Sequence, residues 1–421
     1  MDKQADIPHG RREDVSSGPV SPARLMIYSH DSWGLGHLRR SLAIAGAATL
    51  RFPNLNVLIV TGSPCATQFE LPDRVDVMKL PAVSKANNGQ YISRHWPGAL
   101  AGTLELRSRL ISESFRAFEP HVIIVDHQLT GLYDEALPML HEARAAGRYL
   151  IYGMRDVLDA PETVARQWDS EAHRWALSEG FDRLCIYGSP DVFDPRVQYP
   201  ELARLSDRIE FTGYMAPPES RARWPAIPSL RKKVLVMMGG GEDGGDRVEA
   251  YLEALSLGPP SWSSLVLVGP LMNPGQVNAI ERLIDNRGLS DHVRISRFSN
   301  DVQRHMRDAD AVVSMAGYNS CAEIMRCRVP AVLLPRKTPR VEQLIRARKL
   351  ADLGLAQCLE EYAPQALRDA VEQALAGGVV EGDFPPLNGL ESICRLLEPL
   401  LVNAELHANR HRPEEVVAGA V

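Results

Sequence analysis

The chain has 421 residues, a length that suits two domains better than a single hydrophobic core. Its hydrophobic fraction of 45% and charged fraction of 24% are those of an ordinary globular protein, and a net charge of -6 gives no general electrostatic basis for binding nucleic acid. The six cysteines are scattered without a CxxC pair, which argues against a disulfide framework or a zinc site and favours a reducing compartment.

Residues 1–22 are polar and rich in Gly, Pro and Ser, so we predict a disordered tail there. The segment lacks the apolar core of a signal peptide. No apolar run in the chain approaches the roughly 18 residues that a spanning helix needs. We therefore expect a cytoplasmic protein.

From residue 23 to 214, short apolar runs alternate with helical patterns. Continuous apolar strands separated by helices indicate a parallel sheet covered on both faces. The predicted helices are Leu38–Leu50, Tyr133–Ala146 and Pro161–Leu177. The predicted strands are Leu25–Ser29, Val57–Thr61, Val75–Leu80, Val122–Val125, Tyr149–Tyr152 and Leu184–Tyr187.

Residues 215–228 contain four prolines and are predicted to link this unit to a second one, residues 229–389. A helix at 390–404 and a polar tail at 405–421 follow. Ligands of such sheets bind at the carboxyl ends of the strands, so we expect two doubly wound, Rossmann-like α/β domains facing a central cleft. The strands predicted in the second unit are Val234–Met238, Leu265–Val268, Val293–Ile295, Ala311–Met315 and Ala331–Leu334.

The first strand leads into SHDSWGLGHLRR, in which Gly34 and Gly36 allow a sharp turn and a close approach to a ligand. His37 opens the next helix and can act as a general base, because the ordinary pKa of histidine lies near neutrality. The alternative is a tight turn with His37 as a solvated helix cap. Arg39 and Arg40 either contact a phosphate or, as is more typical of such residues taken alone, form a solvated helix face.

Asp126 ends an apolar strand in HVIIVDHQ, on the side of the predicted cleft. It either orients His37, takes a proton from an acceptor, or caps the next loop. The aromatic segment Tyr91–Leu100 either forms an acceptor loop or covers the sheet.

Gly239, Gly240 and Gly241 directly follow a strand, where backbone N–H groups can cradle a diphosphate. No GK[ST] follows them, so this is not a Walker A loop. The acidic residues between 242 and 246 would repel a phosphate unless they point away. A flexible connector is the alternative.

The stretch 311–347 combines a buried strand, a turn at Gly317 and a short helix. The helix N-terminus near Asn319 and Ser320 attracts an anion, with about 0.3–1 kcal/mol of favourable interaction. Glu323 lies one turn further on, and a carboxylate can accept hydrogen bonds from both ribose hydroxyls. The alternative for Glu323 is an exposed helix charge.

A second strand of this stretch is followed by a basic loop and then by Glu342 and Gln343. This polar pair can hold the hydroxyls of a hexose. Arg336, Lys337 and Arg340 can neutralise a diphosphate, or form a solvated loop.

The second half resembles the GT-B glycosyltransferases of family 28, which include the N-acetylglucosaminyltransferase of peptidoglycan synthesis. The resemblance runs from about Val234 to Leu355, and its most specific parts are ADAVVSMAGYNSCAEIMRCRVPAVLLP and RVEQLIRARKLADLG. The segment GLGHLRR is similar to the first glycine loop of that superfamily and to that of UDP-sugar hydrolases of nonulosonic acid synthesis. The whole chain is most similar to a branch of predicted glycosyltransferases.

The resemblance implies a UDP-sugar bound mainly by the C-terminal domain and an acceptor bound by residues 23–214. It implies that Glu323 binds ribose, that Phe298 contacts uracil, and that Glu342 and Gln343 bind the donor sugar. His37 matches a histidine near the reacting centre. Residues 239–241 match the second glycine loop, with a glycine where a serine is usual.

We therefore expect a glycosyltransferase that moves a hexosyl or N-acetylhexosaminyl group from a UDP-sugar to a hydroxyl acceptor. No metal or other cofactor is expected, and no nucleic-acid partner. The acceptor is left open as a small molecule, a glycan or a lipid-linked compound, and the last of these would require peripheral membrane contact. The alternatives are a UDP-sugar hydrolase and a non-catalytic nucleotide-sugar binding protein.

Overall fold

A computed structural model describes residues 22–30, 36–85, 91–96, 98, 100–216, 231–299 and 301–410, with side chains as far as residue 402 of the last helix and without that of residue 85. Gly34, residues 217–228 of the predicted linker, residues 1–21 of the first predicted tail and residues 411–421 of the second lie outside the described residues.

The first half forms a parallel sheet with the strand order β3-β2-β1-β6-β7-β8-β9, which is that of a doubly wound fold. Its strands are β1 (Ala23–Ser29), β2 (Leu55–Thr61), β3 (Val75–Lys79), β6 (Val122–Asp126), β7 (Tyr149–Arg155), β8 (Arg183–Tyr187) and β9 (Ile209–Phe211). A separate antiparallel pair consists of β4 (Val83–Lys85) and β5 (Tyr91–Ser93). Every residue of β6 is buried, as expected for a central strand covered on both faces.

The helices of this half are α1 (Gly36–Arg51), α2 (Leu100–Phe118), α3 (Leu137–Ala145), α4 (Pro161–Trp168), α5 (Glu171–Trp175), α6 (Pro195–Gln198) and α7 (Pro200–Ala203). The prediction of a single helix over Pro161–Leu177 is wrong, because a new helix starts after Ser170. The Ser170 hydroxyl caps this helix by accepting a hydrogen bond from the N–H of His173. Helix α2 was not predicted, and Tyr91–Ser93 of the predicted aromatic segment form β5.

The second half repeats this architecture, with strand order β12-β11-β10-β13-β14-β15. Its strands are β10 (Lys232–Met237), β11 (Trp262–Leu267), β12 (Val293–Ser296), β13 (Ala311–Ser314), β14 (Ala331–Leu333) and β15 (Gln357–Cys358). Its helices are α8 (Gly245–Leu255), α9 (Pro274–Asn286), α10 (Val302–Asp308), α11 (Tyr318–Cys327), α12 (Glu342–Asp352) and α13 (Pro364–Gly377). The strands predicted in both halves are confirmed, with ends that differ by up to three residues.

The last helix, α14 (Gly389–Arg410), is longer than the predicted 390–404 and returns to the first half. Its buried Ile393 and Leu397 belong to the same core as α1 and β1. Arg51 of α1 forms an ion pair with Glu398 at 3.1 Å. No helix among the described residues is both long enough and apolar enough to cross a bilayer.

Each sheet has one point at which the strand order reverses, between β1 and β6 in the first and between β10 and β13 in the second. Ligands of doubly wound sheets bind in the crevice outside such a point. In the first sheet Ser29 lies beside Asp126, and in the second Met237 lies beside Ser314. The segments that follow these four strands are therefore the places to look for a site.

Candidate active site between the two sheets

The helices that follow the two reversal points meet end to end. The side-chain amide of Asn319, in the first turn of α11, donates to the carbonyl of Gly36 at the start of α1 at 2.9 Å. One turn on, Arg39 of α1 forms an ion pair with Glu323 of α11. These contacts place the predicted acceptor-side loop against the predicted anion-binding turn.

His37, Asp126 and Arg40 form a buried cluster at the carboxyl edge of the first sheet. Asp126 Oδ2 lies 2.6 Å from His37 Nδ1, and Arg40 donates to both carboxylate oxygens at 2.9 and 2.6 Å. Arg40 Nη2 also lies 2.9 Å from His37 Nδ1. Because the carboxylate lies closer and, when ionised, can only accept, we assign the proton between His37 and Asp126 to Nδ1. The lone pair of His37 is then on Nε2, where a base needs it.

The surroundings keep this pair in the charge state that a base requires. Burial lowers the pKa of His37 to about 4, against the opposing effect of Asp126. Burial alone would raise the pKa of Asp126, but Arg40 and His37 outweigh it and hold the pKa well below its usual range. At neutral pH the site therefore contains a neutral imidazole and a carboxylate. Of the alternatives left open for Asp126, the geometry favours orienting His37.

Two further histidines, His30 and His127, surround His37 and were not predicted as site residues. Their ring centroids lie 4.8 Å from that of His37, and both side chains are buried. Burial lowers both pKa values well below the usual value, so both rings are neutral. Their positions in the sequence could have indicated them, because each histidine directly follows one of the two strands, β1 and β6, at which the strand order reverses.

Several predicted donor-binding residues share one cavity on the other side of the cleft. Gly239, Phe298, Ser320 and Glu323 line it together. Phe69 of the first half also lines it and contacts Phe298 edge to face, with ring centroids 6.0 Å apart. The predicted nucleoside site thus has walls from both halves.

The expectation of a solvated helix face is wrong for Arg40, and Arg39 is only partly exposed. Arg40 is 2% exposed and is held by Asp126, while Arg39 binds the predicted ribose carboxylate. Glu323 is itself buried, and its Oε2 has no partner among the described residues. One carboxylate oxygen is thus engaged across the cleft and the other is left unsatisfied.

The glycine loop after β10 has a structural role at its third residue. Gly241 has φ of 94°, and a Cβ there would lie 2.3 Å from the carbonyl oxygen of Val268. Its N–H donates to Met238 O at 3.0 Å, which removes one donor from the predicted diphosphate cradle. Gly239 lines the nucleoside cavity, and the carbonyl of Gly240 accepts from the N–H of Leu271 at 2.9 Å.

Glu342 and Gln343, the predicted donor-sugar pair, begin α12 and are both buried. Arg336 connects them: its guanidinium donates to Glu342 Oε1 at 2.5 Å, and its backbone N–H donates to Gln343 at 3.0 Å. The same guanidinium donates to Asp243 at 2.8 Å. The carboxylates of Glu342 and Asp243 thus neutralise Arg336 in this structure, and Asp243 points towards Arg336.

Gly317 precedes α11 in extended backbone, and its carbonyl accepts from the N–H of Cys321 at 2.9 Å, which starts the helix.

Within the described residues, no group of three or more His, Cys, Asp or Glu side chains is arranged to hold a metal ion.

The two facing sheets with their shared cleft define a GT-B fold, and solved structures confirm it. The MurG protein of Acinetobacter baumannii matches 94% of this chain and 96% of its own, with a TM-score of 0.51 at 16% identity. A UGT transferase of Siraitia grosvenorii in complex with UDP matches 90% of this chain and 99% of its own, with a TM-score of 0.59 at 14% identity.

Within this fold, residues 271–378 match the glycosyltransferase family 28 C-terminal domain, so the second half is family 28-like. Among curated proteins, the UDP-N-acetylglucosamine–N-acetylmuramyl-(pentapeptide) pyrophosphoryl-undecaprenol N-acetylglucosamine transferase of Anaplasma marginale is 28% identical over 144 residues, 34% of this chain and 40% of the relative. The equivalent enzyme of Leuconostoc citreum is 27% identical over 142 residues, 33% of this chain and 38% of the relative. The chain thus matches about two fifths of the length of these relatives.

Proposed function

We propose that this protein is a metal-independent glycosyltransferase that moves a hexosyl or N-acetylhexosaminyl group from a UDP-sugar to a hydroxyl acceptor. One observation carries the proposal: an imidazole held neutral and oriented by Asp126 lies across the cleft from the cavity that Glu323 and Phe298 line. The names of the curated relatives, all UDP-N-acetylglucosamine transferases, support the choice of donor.

In the proposed reaction, His37 Nε2 takes the proton of the acceptor hydroxyl as its oxygen attacks the anomeric carbon of the donor. The bond between that carbon and the UDP oxygen breaks, and UDP leaves with the electron pair. Asp126 stays ionised and stabilises the imidazolium that forms. We assign the stabilisation of the departing diphosphate to the N-terminus of α11, at Asn319 and Ser320, because a helix N-terminus favours an anion.

In this proposal the acceptor binds to the first half of the chain, because that half supplies His37. The names of the curated relatives include a lipid-linked pyrophosphate, so we include lipid-linked acceptors and peripheral membrane contact in the proposal.

The test is to incubate the protein with a panel of UDP-sugars and hydroxyl acceptors and to measure UDP release. We expect release that depends on an acceptor and on one class of UDP-sugar. UDP release at the same rate without any acceptor would replace the transferase with a hydrolase, since the same dyad can activate water. If calorimetry shows UDP-sugar binding but no turnover is measured, the protein is a non-catalytic nucleotide-sugar binding protein.

A further inference from the structure

Arg155, at the end of β7, is half-buried and differs from the fully buried arginines near the cleft. Arg40, Arg107 and Arg346 each donate to a carboxylate at 2.5–2.6 Å. Among the described residues, no carboxylate lies within ion-pair distance of Arg155. Its Nη2 donates to His127 Nε2 at 3.1 Å, and its Nε is buried without a partner. Arg155 therefore carries a charge that forms no ion pair within the described part of the chain.

The electrostatics of these arginines differ in the same way. Burial would lower the pKa of Arg40, Arg107 and Arg346, but the carboxylate partner of each outweighs burial and raises it. Burial lowers the pKa of Arg155 to about 10, because the opposing effect of Glu342, which forms no ion pair with it, is smaller, and Arg155 remains a cation at neutral pH. An uncompensated charge is costly in a folded protein and is commonly retained where it has a function.

His127 adds a second donor beside this guanidinium. Because arginine only donates, Nε2 of His127 must accept, and the proton of the neutral ring is on Nδ1. That Nδ1 is buried and has no partner among the described residues. The residue has φ of 68°, and its backbone N–H donates to Gly153 O at 2.7 Å, which holds it between β6 and β7. Two adjacent side chains thus offer donors and no acceptor.

The position of this pair indicates which molecule would bind there. The His127 ring lies 4.8 Å from that of His37, on the same half of the cleft. We propose that Arg155 and His127 form a subsite for an anionic group, a phosphate or a carboxylate, carried by the acceptor close to its reacting hydroxyl. The inference rests on the proposed function, because it assigns the ligand to the molecule that His37 deprotonates.

The same donors would also suit the diphosphate of the donor, and a binding experiment separates the two sources. Inorganic phosphate is titrated by calorimetry into protein saturated with UDP, so that the donor site is filled. We expect wild-type protein to bind phosphate, and Arg155→Gln to lose about tenfold or more in affinity, the effect of one or two hydrogen bonds to a charged group. Arg155→Lys keeps the charge and should recover part of it.

The matched control is Arg166→Gln, which removes an exposed arginine of α4 and should leave phosphate binding unchanged. Phosphate binding that is absent in wild type, or equal in Arg155→Gln, overturns the proposal. A loss of UDP affinity in Arg155→Gln as large as the loss for phosphate would assign Arg155 to the donor instead. Asp31 follows His30 and lies outside the described residues. If Asp31→Asn binds phosphate and the wild-type protein does not, Asp31 is an internal counter-ion of Arg155, and this outcome also overturns the proposal.

Turnover provides the second measurement, with acceptors compared in pairs such as glycerol and glycerol 3-phosphate. Arg155→Gln should lower kcat/KM for the phosphorylated member about tenfold or more and leave the neutral member unchanged. An equal loss for both members means that Arg155 has only a structural role. If UDP itself fails to bind, the proposed function fails, whereas phosphate titration without UDP still measures the Arg155 subsite.

Discussion

His37 is held by two neighbours that act on different properties of its ring. Asp126 accepts the Nδ1 proton at 2.6 Å and fixes the tautomer, while burial lowers the pKa to about 4. Arg40 neutralises Asp126 and limits how far that carboxylate can raise the basicity of the ring. The result is a base that remains neutral in mildly acidic solution, at the cost of some proton affinity.

The pH dependence of turnover checks this assignment. Only neutral His37 can take a proton, so kcat/KM should be constant from neutral pH downward and fall as the pH drops through about 4, rather than near the ordinary histidine value of about 6.5. His37→Ala should lower kcat by about 10²–10⁴-fold and leave the Kd for UDP unchanged. His141→Ala, which removes an exposed histidine on α3, is the control. An acid limb near 6.5, or normal turnover in His37→Ala, contradicts the role of His37.

At the scale of elements, the ends of α1 and α11 compete with a donor for the same groups. Glu323 is the predicted ribose ligand, yet Arg39 already occupies one of its oxygens. A bound ribose must therefore replace Arg39 or share the carboxylate with it. Solvent can take over the charge of Arg39, which is 32% exposed, but Glu323 is buried, so the ribose hydroxyls must replace the hydrogen bond that it loses.

Calorimetry with UDP distinguishes the roles of these two residues. Glu323→Gln removes the charged acceptor of the ribose hydroxyls and should weaken UDP binding about tenfold or more. Arg39→Gln frees Glu323 and should strengthen UDP binding about two- to fivefold, the range of a partly exposed ion pair. Weaker binding in Arg39→Gln would instead show that Arg39 contacts the nucleotide.

The elements themselves could be predicted because their signals are local. Apolar strands such as Val122–Val125 occur between turn and helix patterns, and their type follows from a few neighbouring residues. The break at Ser170 is also local, but the amphipathic pattern continues across it, so that pattern alone predicted one helix. Helix α2 was missed although Ile111 and Phe115 are apolar residues at helical spacing, because buried polar residues such as Arg107 interrupt its apolar face.

At the scale of the whole molecule, the contacts that join the halves were beyond sequence analysis. Arg39 and Glu323 are 284 residues apart in the chain, and Arg346 and Asp156 are 190 apart. No local pattern links such residues, and an arginine beside a glycine loop is usually solvated. The same limit applies to Arg155, whose lack of an ion-pair partner among the described residues becomes visible only once the neighbouring strands are in place.

The Asp156–Arg346 pair is the strongest of these connections. Both side chains are fully buried, Arg346 donates to both carboxylate oxygens, and Tyr214 donates to Asp156 at 2.9 Å. Arg346 also donates to Ala316 O at 2.7 Å, so one guanidinium ties α12 to the end of β13 and to the first half. Removing one partner leaves the other as an uncompensated buried charge, which typically costs about 3–5 kcal/mol.

Asp156→Asn should therefore lower the free energy of unfolding by about 3–5 kcal/mol, measured by urea denaturation followed by circular dichroism. Arg144→Gln breaks the more exposed Arg144–Asp182 pair within the first half and should shift the midpoint far less. The double variant Asp156→Asn with Arg346→Met removes the unpaired charge and should recover part of the loss, because the cost comes from the isolated guanidinium rather than from lost attraction. If Asp156→Asn moves the midpoint no further than Arg144→Gln, the pair does not hold the two halves together. A double variant no more stable than Asp156→Asn would show that the cost lies in the hydrogen bonds to Tyr214 and Ala316 instead.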